Sequence, residues 1–133
     1  MPKIRHIAYR AQDVDAMAAF FAKAFEMEIV QRRQNGAIDL TDGTINITLL
    51  RADGQRVDDR PHTIGVDHIG FTVEDEAKAR ELVEAAGGRE LNTINLGSAN
   101  YEVKFEGPEG IVVDFGHWAG GTPITEPETA ARA

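Results

Sequence analysis

Two histidines stand at equivalent positions of a repeated motif. His6-Ile7-Ala8-Tyr9 near the start of the chain returns as His68-Ile69-Gly70-Phe71 in the middle, an offset of 68 − 6 = 62 residues. A fixed repeat that supplies one histidine per copy predicts a symmetric site in which the two imidazoles face each other. Because imidazole is a common ligand of divalent transition metals, the repeat indicates a metal site.

The donor atoms of such a site must be nitrogen and oxygen, because the 133-residue chain contains no cysteine. Disulfides, thiolate metal sites and a cysteine nucleophile are therefore excluded. A nitrogen–oxygen donor set favours one divalent metal, namely Fe, Mn, Zn, Ni or Co, over copper(I) or an iron–sulfur cluster.

The alternation of side chains along strands predicts a third ligand. In a strand, successive side chains point to opposite faces. Ile7 therefore lies on the apolar face of its strand, and His6 lies on the other. In the last strand, Val113 and Phe115 form the apolar set, which places Asp114 on the histidine face. His6, His68 and Asp114 thus converge as a 2-His-1-carboxylate set, which leaves the open positions that a catalytic metal needs.

Each ligand also has a structural interpretation. A single strand histidine is usually an ordinary surface or core residue, and Asp114 could be a solvated carboxylate. The matched positions of His6 and His68 favour ligation, as does the apolar neighbourhood of Asp114, where an isolated charge is costly.

Four residues are predicted to contact a substrate, and no catalytic acid or base is assigned. Arg10 shares the histidine face and could bind a carboxylate or phosphate, although a strand-end arginine is often only solvated. Tyr101 and Lys104 lie on opposite faces of one strand, so at most one of them lines the pocket. The complete predicted set is Arg10, Asn46, Thr48 and Tyr101.

The elements that position these residues repeat as well. Each copy reads as strand, helix and three strands, and Asp13 and Asp75 are the predicted N-caps of the two helices. The predicted fold class is α+β: two tandem βαβββ modules that form a curled mixed sheet with helices on its outer face. The predicted bounds are module one at about 3–51, a linker at 52–64, module two at about 65–118, and a loose C-terminal tail at 119–133.

Composition predicts a soluble, cytoplasmic, single-domain protein. The chain is 42% hydrophobic and 27% charged, with a formal net charge of −8. A net negative charge argues against a nucleic-acid partner, because clustered lysine and arginine side chains supply most of the affinity for phosphates. No apolar run approaches the roughly 18 residues of a membrane helix, and the N-terminus lacks the apolar segment of a signal peptide.

The sequence also resembles the vicinal oxygen chelate superfamily, which includes glyoxalase I, extradiol dioxygenases, methylmalonyl-CoA epimerase, fosfomycin-resistance transferases and bleomycin-binding proteins. The matching segments are His6-Ile7-Ala8 with Asp13, Gly65-Val66-Asp67-His68-Ile69-Gly70-Phe71, and Gly107-Pro108-Glu109-Gly110-Ile111-Val112-Val113-Asp114. The resemblance covers about residues 3–118. It implies paired βαβββ modules around a metal, with ligand positions at His6, Thr48, His68 and Asp114, and it implies a homodimer.

Three departures from that family pattern narrow the prediction. Thr48 stands where glyoxalase I and the epimerase usually have a Glu or Gln ligand, and Asp114 stands where Glu is usual. Lys104 occupies the place of the tyrosine in the extradiol signature, and no histidine precedes it in 96–103. The pattern therefore points to a three-ligand metal centre and argues against ring cleavage by the usual acid–base set.

The leading functional hypothesis is a divalent-metal-dependent enzyme of the glyoxalase or dioxygenase type that acts on a small oxygen-bearing organic molecule. Its reaction would be that of a lyase, dioxygenase or thiol transferase. The alternative is a metal-free drug-binding protein of the bleomycin-resistance type, whose acidic charge suits a cationic ligand. A third possibility is a regulatory or immunity-like module that keeps the fold without chemistry.

Overall fold

The computed structural model describes residues 1–53, 63–95 and 101–116, with backbone alone for 92–95 and 101–102. Its elements in chain order are β1 (Lys3–Ala11), α1 (Val14–Phe25), β2 (Glu28–Arg32), β3 (Ile38–Thr41), β4 (Asn46–Arg51), β5 (Gly65–Thr72), α2 (Glu76–Ala85), β6 (Arg89–Asn95), β7 (Tyr101–Glu106) and β8 (Val112–Gly116). The predicted order of two βαβββ modules is confirmed. Most of the predicted linker, at 54–62, and the predicted tail at 119–133 lie outside the described residues.

Both helices begin with the same capping interaction. Asp13 Oδ1 accepts a hydrogen bond from Ala16 N at 2.9 Å, and Asp75 Oδ1 accepts one from Lys78 N at 3.0 Å. An N-cap carboxylate satisfies a backbone donor that has no partner within the helix. The equivalent aspartates therefore start equivalent helices. No helix among the described residues is long and apolar enough to span a membrane.

The helical spacing of the apolar residues Val14, Met17, Phe20, Phe21 and Ala24 predicts a wider buried face of α1 than the structure has. Val14 and Ala18 are buried, and Phe21 packs against the same cluster. Phe20 fits the predicted apolar stripe, but it is 56% exposed. The reason is geometric: consecutive helical residues are about 100° apart, so only one of two adjacent phenylalanines can lie at the centre of the contact.

All eight strands form one mixed sheet in the order β2-β3-β4-β1-β5-β8-β7-β6. Within each module the first strand pairs in parallel with the last, β1 with β4 and β5 with β8. The two modules join where β1 and β5 pair antiparallel. This seam between the modules is the centre of the sheet.

The register of the seam is symmetric about the pair Ile7–Ile69. On either side of that pair, His6 is opposite Gly70 and Ala8 is opposite His68. The register then shifts once on each strand, so that Arg5 of β1 and Asp67 of β5 are each left without an opposite residue. These two β-bulges are related by the same 62-residue offset as the histidines, since 67 − 5 = 62.

The two faces of the sheet differ in chemistry. Facing α1 is an apolar cluster that includes Leu40 and Leu49, and facing α2 is one that includes Val103, Phe105 and Phe115. The opposite, helix-free face is polar and yet buried. We call it the inner face, and its buried polar residues are His6, Arg10, Asp39, Asn46, Thr48, His68, Lys104 and Asp114. Neither α1 nor α2 covers this face, and its burial fits a sheet that curls around it.

Candidate metal centre

Three potential ligand atoms converge on the inner face. His6 Nε2 lies 3.2 Å from His68 Nε2, and Asp114 Oδ2 lies 3.2 Å from His68 Nε2 and 3.7 Å from His6 Nε2. All three residues are buried, and among the described residues they form the group of histidine and carboxylate side chains that could hold a metal ion. The structure thus brings together the three residues that strand alternation selects.

The spacing of the three atoms fits one bound ion. Atoms about 2.1 Å from a common metal, at tetrahedral or octahedral angles, are about 3.0–3.4 Å apart. The observed distances of 3.2, 3.2 and 3.7 Å match that range or slightly exceed it. Two imidazoles and one carboxylate are also the donors that Zn, Mn, Fe, Co and Ni accept.

A glycine makes room for this arrangement. Gly70 lies between His6 and Asp114 in the cross-strand register. A Cβ atom at this position would come within 2.5 Å of His6 Nδ1 and 2.6 Å of Asp114 Oδ1. Because real Cβ contacts are never that short, any side chain at Gly70 would displace a candidate ligand. The site therefore requires glycine at position 70, whereas the equivalent position of the first module, Ala8, carries a methyl group.

The β-bulge at Asp67 orients one of the two histidines. Asp67 Oδ2 lies 2.7 Å from His68 Nδ1. When Nδ1 carries the ring proton, the Nδ1–H group donates to this carboxylate. The lone pair of Nε2 is then directed at His6 and Asp114, as a metal ligand requires. Burial by itself would raise the pKa of the Asp67 carboxyl. The hydrogen bonds and charges of His68 and Arg10 outweigh burial and hold that pKa well below its usual range.

Arg10 holds the Asp67 carboxylate in place. Its Nε donates to Asp67 Oδ1 at 2.9 Å, and its Nη1 donates to the backbone oxygen of Arg51 at 2.7 Å. The side chain is 1% exposed, and within the described chain its Nη2 has no hydrogen-bond partner. These contacts support His68 through Asp67, and the predicted contact of Arg10 with a substrate stays a prediction.

Thr48 belongs to a separate buried network beside the centre. Its Oγ1 donates to Asp39 Oδ1 at 2.7 Å, and Arg33 makes two hydrogen bonds of 2.8 and 2.9 Å to the same carboxylate. Asp39 and Thr48 are opposite each other in the register of β3 and β4. The hydroxyl proton is therefore directed at a carboxylate and not at the ligand triangle.

Asn46 is opposite His6 in the register of β4 and β1. It is fully buried, and within the described residues neither its amide nitrogen nor its amide oxygen has a hydrogen-bond partner. A buried amide without partners is costly, by about 1–3 kcal/mol. The side chain offers one donor group and one acceptor beside a candidate ligand, which is what a substrate-binding residue provides.

Lys104 lies in the centre, although the set of residues predicted from the sequence to contact a substrate contained Tyr101 in its place. It is opposite Asp114 in the register of β7 and β8, and its Nζ lies 3.4 Å from Asp114 Oδ2. Strand alternation contains the signal that identifies it, because Val103 and Phe105 on either side face the α2 cluster. The side chain of Tyr101 lies outside the described residues, so its predicted role stays a prediction.

Comparison with known proteins agrees with the resemblance inferred from the sequence. The model of the Glyoxalase/Bleomycin resistance protein/Dioxygenase superfamily matches residues 3–115. No curated protein matches the chain.

Several solved structures share the fold at low identity. A hypothetical protein from Bacillus halodurans is 14% identical with a TM-score of 0.67, and the match covers 92% of this chain and 98% of that one. Methylmalonyl-CoA epimerase from Mycobacterium tuberculosis is 15% identical with a TM-score of 0.62, covering 90% and 88%. The Mn(II)-bound glyoxalase from Novosphingobium aromaticivorans is 23% identical with a TM-score of 0.67, covering 89% of this chain and 39% of that one. At these identities the likeness shows the fold alone.

Proposed function

Because the chain belongs to the Glyoxalase/Bleomycin resistance protein/Dioxygenase superfamily, we propose that it is a divalent-metal-dependent enzyme acting on a small oxygen-bearing organic molecule. The observation that carries the proposal is the convergence of His6, His68 and Asp114, whose ligand atoms all lie within 4.8 Å of one another. Proteins of similar fold include enzymes named as a glyoxalase, a dioxygenase and an epimerase.

The chemistry of the ligand atoms supports a cation at this position. Once His68 Nδ1 donates to Asp67, its Nε2 is an acceptor that faces an imidazole nitrogen of His6 and a carboxylate oxygen of Asp114. Electron-rich atoms packed this closely in a buried site are stabilised by a positive charge among them. Fe, Mn, Zn, Ni or Co would supply Lewis-acid stabilisation of a developing oxyanion or enolate when bound.

The remaining inner-face residues prepare the centre for a ligand. Asp67 fixes the tautomer and the ring orientation of His68, and Gly70 leaves space for His6 and Asp114. The amide of Asn46 is placed to donate to or accept from a substrate oxygen beside His6. A buried site strengthens each of these interactions relative to water.

The proposal is tested by metal content. The protein is purified without chelator, or incubated with Mn, Fe, Co, Ni or Zn salts and then desalted. We expect inductively coupled plasma mass spectrometry to find one equivalent of divalent metal. His6→Ala, His68→Ala and Asp114→Ala are each expected to lose it. His62→Ala, at a histidine of the predicted linker, is the matched control and should keep it.

A protein that holds no metal under any of these conditions, with all variants alike, would overturn the proposal. That result would favour the metal-free binding protein of the bleomycin-resistance type. Turnover of a vicinal-oxygen substrate by the metal-loaded protein, lost together with the metal, would establish the enzyme and eliminate a purely regulatory module.

A further inference from the structure

We propose that Lys104 contacts the substrate and makes the centre selective for a small anion that presents two oxygens, such as a hydroxy acid or an enolate. The inference rests on the proposed metal-dependent function and adds the charge of the substrate to it. No motif of the sequence assigns this role to Lys104, which the structure places beside a candidate ligand.

The first support is the unmet hydrogen-bonding capacity of the ammonium group. Lys104 is 1% exposed. An ammonium has three donors, and within the described chain Lys104 makes one hydrogen bond, to Asp114 Oδ2 at a long 3.4 Å. A buried charge needs its donors paired, because little water is available to solvate it. An anionic oxygen of a bound ligand would complete the set.

The second support is the balance of charge. The neighbouring buried ions are already paired, Arg10 with Asp67 and Arg33 with Asp39. At the centre itself, Lys104 (+1) offsets Asp114 (−1). A divalent ion added to this pair leaves a net charge of +2 in a buried site, which is unfavourable unless the ligand carries negative charge.

The third support is position. The cross-strand register runs Asn46, His6, Gly70, Asp114, Lys104 in one row across five strands. Lys104 and a metal held by the centre share Asp114 as a neighbour. A negatively charged ligand oxygen beside Asp114 would therefore be next to an ammonium, while a neutral carbonyl or hydroxyl would gain less from it.

The test measures the binding of a simple anion by the Mn(II)-loaded protein. Oxalate, a small dianion with two oxygens for the metal, is titrated calorimetrically against wild type, Lys104→Met and Lys78→Met. Lys78 is an exposed helical lysine, so its substitution makes the same change of net charge away from the centre. We expect Lys104→Met to bind oxalate about tenfold more weakly or worse and to bind Mn(II) at least as tightly as wild type does. Lys78→Met should change neither affinity.

Equal oxalate affinity in wild type and Lys104→Met would overturn the inference and leave the metal centre intact. A wild-type protein that binds no metal would overturn the proposed function as well, so the two failures are distinct. Should Lys104→Met not fold, Lys104→Gln replaces it. A second comparison isolates the charge at Lys104: its substitution must weaken oxalate binding more than it weakens the binding of oxamide, the neutral analogue, and equal losses would contradict the inference.

Discussion

The two candidate histidine ligands have different partners, although the repeat makes their positions equivalent. Asp67 precedes His68 at one β-bulge, whereas Arg5 precedes His6 at the equivalent bulge. Asp67 accepts from the His68 ring, while Arg5 Nη1 donates to the backbone oxygen of Thr44 at 3.3 Å. The carboxylate makes His68 the more firmly oriented ligand.

Replacement of Asp67 by Asn is expected to lower metal affinity about 10–100-fold, the usual cost of losing the carboxylate partner of a ligating histidine. Equilibrium dialysis against Mn(II) measures the change. Asp53→Asn, at an exposed carboxylate paired with Arg51, is the matched control and should leave affinity unchanged. Wild-type affinity in Asp67→Asn would show that the Asp67–His68 interaction is only structural.

Replacement of Thr48 by Val tests whether its hydroxyl serves the hydrogen bond to Asp39 or binds the metal. The variant is expected to lose about 1.5–3 kcal/mol of unfolding free energy, because a buried carboxylate loses a hydrogen bond, and to retain its metal. Thr48→Ser keeps the hydroxyl and should lose less. Urea denaturation and metal analysis check the two readouts, and a metal-free Thr48→Val would instead identify Thr48 as a ligand.

Strand alternation in the sequence predicted which residues share the inner face but not which of them touch. Asp114 follows from alternation because its neighbours Val113 and Phe115 pack in the α2 cluster. His6 and His68 follow in the same way from the apolar residues Ile7 and Ile69 beside them. Asp67 does not follow, because a β-bulge breaks the period of two that alternation assumes. The contact of Asp39 with Thr48 does not follow either, since it depends on the register between strands.

At the scale of elements, Asp42 is one of the residues that stabilise the β3–β4 connection. Asp42 Oδ1 accepts from Thr44 N at 2.8 Å and from Ile45 N at 2.9 Å. The hydrogen bonds from Ile45 and Thr44 lower the pKa of the Asp42 carboxyl. The turn thus sets the register in which β4 presents Asn46 and Thr48 to the inner face.

The lowered pKa predicts the sign of a pH effect. A carboxyl whose pKa is lower in the folded state contributes stability above its unfolded pKa of about 3.9 and loses it as the pH falls through the folded value. Asp42→Asn is therefore expected to be less stable than wild type near neutral pH. This difference in unfolding free energy should shrink as the pH falls below about 4. Thermal unfolding of both proteins across pH 2–7 tests this, and a constant gap would contradict it.

The close packing around Gly70 predicts the effect of adding a single methyl group at that position. Gly70→Ala is expected to abolish metal binding, because the added Cβ occupies space that His6 and Asp114 need. Gly107→Ala is the control, since its Cβ would come no closer than 3.2 Å, to Ile111 Cγ2. Metal analysis and circular dichroism distinguish loss of the site from loss of the fold. A Gly70→Ala protein that retains one equivalent of metal would contradict this geometry.

At the scale of the whole molecule, two exposed apolar residues flank the seam. Ile4 is 47% exposed and Val66 is 58% exposed, and the repeat relates them, since 66 − 4 = 62. Exposed apolar side chains at repeat-related positions are candidates for a contact surface between two copies of the chain. The homodimer that the family resemblance implies would cover such positions.

Sedimentation velocity is expected to show a dimer for wild type and a shift toward monomer for Ile4→Asp and Val66→Asp. Leu82→Asp, at a residue of α2 that is 57% exposed, serves as the control for an added surface charge. A monomeric wild type at micromolar concentration would contradict the predicted dimer.

The symmetry of the seam also bears on how such a protein diverges. Ile7 and Ile69 hold the two histidines at a fixed separation, while the residues that tune each imidazole are encoded in different halves of the gene. Asp67 contacts the His68 ring, while Arg5 at the equivalent bulge contacts the backbone of Thr44, so the two bulges already differ in what they do. After a duplication, each histidine can therefore acquire different neighbours, while the Ile7–Ile69 pairing keeps the strands that carry them in register.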